Sequence, residues 1–199
     1  MAGNFENSYL GNMKQILIFL ISLLCISCSN DKLSQQVINK GIQYVNKYNM
    51  NTNYIIFVDF NKHSGKNRFY VYDLHKKTII LESLCAHGMG LGSTKDHPVF
   101  SNKLGSHCSS LGFYKVGGYN ITRLNLPSYI LEGLSNTNSN AKQRMLLIHP
   151  YYTISDIPTY PIYAPMNVSE GCFVISPIKF KKLSKILSSN KNICLYAYK

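Results

Sequence analysis

The sequence predicts a mostly β domain, with one helix ahead of the strands and another near the end of the chain. Three observations predict it. Short runs rich in Val, Ile, Phe and Tyr recur from residue 54 onward, separated by Gly, Asn, Ser and Lys clusters. Tyrosine occurs 15 times and charged residues make up only 15% of the chain, a composition that excludes a disordered polymer. Only two segments carry apolar residues at helical spacing.

In chain order, Leu33, Val37, Gly41, Tyr44, Val45 and Tyr48 predict a helix over 31–49, ended by the Asn-rich "YNMNTN". "YIIFVDF" (54–60), "RFYVYDL" (68–74) and "TIILESLC" (78–85) read as a three-stranded meander, turned by "NKHSGKN" and "LHKK". The Gly/Ser/His stretch from Ala86 to Ser110 is too long for an idle connection and marks a functional loop. "LGFYKV" (111–116) reads as a strand turned by "GGYN", and "RMLLIH" (144–149) as a buried strand. A Pro/Tyr-rich loop (150–168) follows. "SPIKFKKLSKILSS" (176–189) reads as a helix with Ser176 as N-cap and Pro177 first, where no N–H is needed. "NICLYAY" (192–198) closes as a strand.

The first residues read as a leader. Ile16 to Ile26 is an apolar run of eleven residues, too short to span a bilayer but suited to an export signal. The "CISC" that ends at Cys28, followed by "SNDK", resembles a bacterial lipoprotein signal, which implies lipid on Cys28 and a membrane anchor in the envelope. The expected division is an export leader over 1–28, with Met13 as an alternative start, a helical segment over 29–52 and a catalytic domain over 53–199. The net charge of +12 fits either a solvated basic face or attraction to a polyanion. No zinc-finger or ribonucleoprotein motif is present, so nucleic acid is not an expected partner. Beyond the leader, Cys85, Cys108, Cys172 and Cys194 remain, and four cysteines allow three pairings; a Cys85–Cys108 bridge is one of them. The oligomeric state is not legible.

Chemistry concentrates in "VSEGCFVIS" (168–176). A thiol nucleophile needs a base and donors aimed at the oxyanion that forms when it attacks a carbonyl. Gly171 permits close backbone approach, and the N–H groups of Gly171 and Cys172 are the candidate donors. Among six histidines, His63 and His75 fall in turns, while His149 ends an apolar strand. From spacing alone His149 is either a satisfied core residue or the base.

"IHP" with "SEGC" resembles the His-Gly…Ser-x-Gly-Cys signature of the YkuD-type L,D-transpeptidases. "AHGMGLG", "FSNKLGSHCSSLGFY", "TRLNL" and "LEGLSNTNSNAKQRMLLIH" resemble successive blocks of one branch, the murein L,D-transpeptidase catalytic domain family, over residues 33–198. The resemblance implies a YkuD-like β-sandwich or partly closed barrel and chemistry on peptidoglycan stem peptides without a cofactor. By position, Cys172 is the nucleophile and His149 the base, oriented by the backbone carbonyl of Pro150. Ser169 is the motif serine, with a structural or a direct role. His87 and Gly88 are expected to line the cleft, as are Ser109, Ser110 and Gly112, and Arg123 to pair with a stem carboxylate. Cys172 would take the acyl group from the third stem residue and release D-alanine. An amine would then resolve the thioester to a 3→3 cross-link, or water would hydrolyse it.

Three positions depart from the family pattern. Pro150 stands for the usual glycine, and would misaim His149 if that glycine needs positive φ. Phe173 stands for an arginine or proline, and so lacks a substrate contact. Glu170 puts negative charge beside the thiol, which raises its pKa. These changes leave room for a degenerate wall-binding lipoprotein as the alternative. Chain order argues against an NlpC/P60 peptidase, where cysteine precedes histidine. The absence of any arginine after Arg144 argues against a sortase. No H-E-x-x-H or paired C-x-x-C suggests a metal site.

Overall fold

The computed structural model describes residues 33–199. The predicted leader, with Met13 and Cys28, lies outside the described residues. Two compact units divide at Asn39 and Lys40, within the first helix, α1 (Gln35–Lys47). In the first unit, Ser34 Oγ accepts from Val37 N–H at 3.3 Å and starts α1. In the second unit, α1 continues from Lys40. Gly41 lets it lie close to the sheet, because a Cβ there would meet the Phe57 ring at 2.8 Å. Tyr44 stacks on Phe113 at 3.7 Å.

Eight strands follow the helix start: β1 (Tyr54–Asp59), β2 (Phe69–Asp73), β3 (Thr78–Ser83), β4 (Gly112–Ile121), β5 (Pro127–Gly133), β6 (Leu147–Pro150), β7 (Phe173–Ile175) and β8 (Cys194–Tyr198). They form one sheet in the order β3-β2-β1-β8-β4-β5-β6-β7. Ala86, just beyond β3, bridges back to Val174 in β7, with Ala86 N–H donating to the Val174 carbonyl at 2.8 Å. The two edges of the sheet therefore meet, giving the nearly closed barrel that the fold class anticipates and leaving little strand edge exposed.

The barrel interior is filled by Ile56, Val58, Phe69, Val71, Tyr114, Leu131, Ile148 and Phe173, among others. The second helix, α2 (Pro177–Ser189), adds Phe180, Leu183 and Leu187. Ser176 caps α2 as expected, its Oγ accepting from Lys179 N–H at 3.3 Å, with Pro177 following.

Two expectations need correction, and one open pairing is decided. The strand expected to end at 116 continues through Gly117 and Gly118 to Ile121, because those glycines form a bulge rather than a turn. The turn lies later: Thr122 N–H donates to the Leu126 carbonyl at 2.8 Å, with Asn125 at φ +57°. Its second arm, β5, is absent from the sequence reading, where a proline at its start masked it. The expected strand 144–149 begins only at Leu147, since Met145 takes φ +54°. Finally, Cys85 and Cys108 do not pair; both are buried free thiols.

Candidate active site

Strands β6 and β7 run parallel, with Ile148 opposite Phe173 and His149 opposite Val174. Side chains alternate across a strand. Ile148 and Phe173 point into the core. His149, and Cys172 one step before Phe173, therefore project to the other face, where both line a cleft of about 570 Å³. Residues twenty-three apart in the chain are neighbours here because a parallel pair needs a long crossover, supplied by the loop over residues 151–172.

The cysteine sits on a turn that only glycine can start. Gly171 has φ +114°, and a Cβ there would lie 2.6 Å from the Cys108 carbonyl oxygen. Ser169 Oγ accepts from Gly171 N–H at 3.1 Å and donates to the Cys172 carbonyl at 2.7 Å, closing the turn on itself. Ser109 Oγ donates to the Gly171 carbonyl at 3.0 Å and accepts from Gly88 N–H at 3.0 Å, so the long Gly/Ser/His loop holds the turn from outside.

His149 is buried, and its Nδ1 donates to the Pro150 carbonyl at 3.0 Å. A carbonyl only accepts, so the proton is on Nδ1 and Nε2 keeps its lone pair. Burial holds its pKa below the ordinary histidine value, against the opposing pull of the Pro150 carbonyl. Cys172 is half-buried. Its thiol is pushed up to about 11, first by burial and then by Glu170, while the Leu147 backbone and Arg144 act the other way. The sulfur lies 3.7 Å from the Met145 carbonyl oxygen and donates to it. The resting pair is therefore neutral thiol and neutral imidazole.

The remaining candidates separate. Arg123 lines the cleft. His87, Ser109 and Ser110 do not: all three are buried in the interior. His87 faces Arg68, with Nδ1 2.9 Å from a guanidinium nitrogen and Nε2 3.0 Å from the Thr94 carbonyl. Ser110 Oγ bonds Tyr114 Oη at 2.7 Å. Gly88 leaves room for the His107 carbonyl, which a Cβ would approach to 2.4 Å. Gly112, at φ +119°, packs on Ser135. These residues shape the walls from behind. The structure also shows where two of the departures lie. Pro150 supplies its carbonyl to His149 without any positive φ. Phe173 points into the core, packing edge-on against Tyr114 at 5.6 Å, so the position after the cysteine does not face the cleft.

Sequence reasoning missed Arg144. It lines the cleft and donates to the Ser101 carbonyl at 2.6 Å and to the Cys108 carbonyl, tying the 101–108 loop to the start of β6. Its signal was the "RM" directly before "LLIH", absorbed there into a strand. His107 also lines the cleft, 3.8 Å from Glu170. Among the described residues, no group of three or more His, Cys, Asp or Glu side chains is placed to hold a metal.

Comparison with known proteins agrees with this architecture. A search of curated proteins returned no match. Among solved structures, a point variant of the helical cell shape determining protein Pgp2 from Campylobacter jejuni superposes with a TM-score of 0.50 at 12% identity, over 79% of this chain and 53% of that one. An L,D-transpeptidase from Xylanimonas cellulosilytica gives 0.43 at 10% identity, over 74% and 61%. L,D-transpeptidase 3 from Mycobacterium tuberculosis, in complex with a faropenem-derived adduct, gives 0.43 at 12%, over 74% and 60%. The chain thus spans only a little over half the length of these structures. The family model described as L,D-transpeptidase catalytic domain matches residues 29–198, which is most of the sequence, and the chain belongs to that family.

Proposed function

We propose that the protein is a cysteine L,D-transpeptidase acting on peptidoglycan stem peptides. The observation that carries the reading is the shared face of β6 and β7, which turns His149 and Cys172 into one cleft. In this mechanism Nε2 of His149 takes the thiol proton as sulfur attacks the carbonyl of the third stem residue. The Cys172 N–H supports the oxyanion; the Gly171 N–H is already held by Ser169 and shapes the turn instead. The C–N bond breaks, the imidazolium returns its proton to the leaving amine, and D-alanine departs. A thioester remains. An amine from a neighbouring stem resolves it as a 3→3 cross-link, or water hydrolyses it to the tripeptide. Arg123, on the cleft wall, is suited to a stem carboxylate.

The test is to incubate the protein with a tetrapeptide-bearing muropeptide and follow mass. Release of D-alanine that disappears in Cys172→Ala supports the enzyme. A second reading, a wall-binding module without turnover, is favoured by one observation: the resting thiol donates to the Met145 carbonyl rather than to His149. Binding to sacculi with no release, unchanged in Cys172→Ala, would establish that reading instead.

The leader "ILIFLISLLCISC" supports export to a bacterial envelope with lipid on Cys28. Labelling with a fatty-acid analogue checks this, with loss of label expected in Cys28→Ala.

A further inference from the structure

A second groove among the described residues is larger than the cysteine cleft. It measures about 1040 Å³ and lies between α2 and the β4–β5 hairpin. Strand β8 pairs with β4 only as far as Lys115, so among the described residues β4 beyond that point has no strand on its β8 side. The bulge at Gly117 and Gly118 falls there, and a Cβ at Gly118 would meet nothing within 4 Å.

Four lysines and one carboxylate, Glu132, line the groove. Lys181 and Lys185 are one helical turn apart on α2 and share a face, and Lys191 follows. Among the described residues, no carboxylate lies within ion-pair distance of these three, whereas Lys115 is held by Glu132 at 2.7 Å. Tyr119, an exposed ring set edge-on to Tyr129 at 5.8 Å, adds a flat apolar face. Unpaired ammonium groups beside an exposed ring and serine hydroxyls suit a polymer that carries both carboxylates and sugar rings.

The groove is also placed for such a polymer. The β4–β5 hairpin is the partition between the two cavities: residues 115–119 line the groove and residues 120–124 line the cysteine cleft. A chain seated in the cleft reaches the groove by crossing one hairpin.

We propose that this groove is a second binding site for the carboxylate-bearing peptidoglycan polymer, holding the strand whose stem enters the cleft. The inference rests on the function proposed above for the cleft. It makes the enzyme selective for assembled wall over free muropeptide without altering the chemical step.

The test uses the full chain and purified sacculi stripped of covalently attached phosphate polymers. Co-sedimentation of wild type is compared with the triple variant Lys181→Glu, Lys185→Glu, Lys191→Glu. A matched triple variant, Lys76→Glu, Lys77→Glu, Lys95→Glu, changes the same charge on exposed turns away from the groove. The groove variant is expected to bind about tenfold more weakly, and the matched variant like wild type; raised salt should shrink the difference. Tyr119→Ala, which leaves the charge unchanged, should weaken binding several-fold and decides the matter if the groove triple variant does not fold. Equal loss in both triple variants, or undiminished binding in the groove variants, overturns the proposal. Turnover of a short soluble tetrapeptide should be unaffected by the groove changes. If wild type fails to turn that peptide over, the function proposed for the cleft fails, while the sedimentation comparison still decides the groove.

Discussion

Ser109 and Gly171, sixty-two positions apart, are joined by a 3.0 Å hydrogen bond from the serine hydroxyl to the glycine carbonyl. The same hydroxyl accepts from Gly88 N–H, so one buried side chain couples the long loop to the turn that carries Cys172. Ser109→Ala leaves that N–H and that carbonyl without this partner in the interior. The expected cost is about 1–3 kcal/mol of stability, read by denaturant titration. Loss of Cys172-dependent D-alanine release should exceed what the lowered stability explains, because the turn loses its outer support. Ser109→Cys keeps the volume and a weak donor and should fall between.

Pro150 aims His149 through a carbonyl, which every residue carries. Pro150→Gly should therefore keep turnover within a few-fold of wild type. It should lower stability by about 0.4–1 kcal/mol through the freer unfolded chain. His149→Ala, by contrast, should abolish acyl transfer while leaving sacculus binding in place. A Pro150→Gly enzyme that gained a large factor in kcat would show the proline to be a real impairment.

The Cys172 thiol, pushed up to about 11, predicts how alkylation depends on pH. Below that value the thiolate fraction grows about tenfold per pH unit. Labelling by iodoacetamide should therefore keep climbing between pH 8 and pH 10, where an ordinary thiol levels off. Glu170→Gln removes a charge that favours the protonated thiol, so it should lower the pKa and speed labelling at pH 8. An unchanged rate would place the carboxylate too far away to matter.

His87 predicts sensitivity to acid. Burial first, then the Arg68 guanidinium, hold its pKa down to about 4. In the unfolded chain it titrates near 6.5. Between those values the unfolded state binds the proton more readily, so stability is complete above about pH 6.5 and falls as pH drops toward 4. The full span is on the order of 3 kcal/mol. His87→Gln, which can still accept from Arg68 and donate to Thr94, should flatten the fall in Tm over that window.

How much of this was legible in the sequence depended on whether the signal was local. The meander of β1 to β3, the Ser176 cap and α2 declared themselves through period, turn residues and capping chemistry. Strand β5 did not, because its pairing with β4 and β6 is what makes "PSYILEG" a strand, and its opening proline argued locally against one. The site divided the same way. Cys172, His149 and the Pro150 carbonyl were readable because a short motif carries them. His87, Gly88, Ser109 and Ser110 were expected to line the cleft but lie behind its wall, since sequence spacing says nothing about which way a loop residue points. Arg144 was missed for a related reason: its partners, Ser101 and Cys108, are brought to it only by the closed barrel.

Strand β8, which follows the other seven described strands in the chain, stands in the middle of the sheet, with β1 on one side and β4 on the other. Without Cys194–Tyr198 the sheet would consist of two parts, β3-β2-β1 and β4-β5-β6-β7, joined only through the Ala86–Val174 bridge and with their inner margins bare. Closure of the sheet therefore depends on Cys194–Tyr198, and a chain cut before that strand is expected to stay incompletely folded and prone to aggregate.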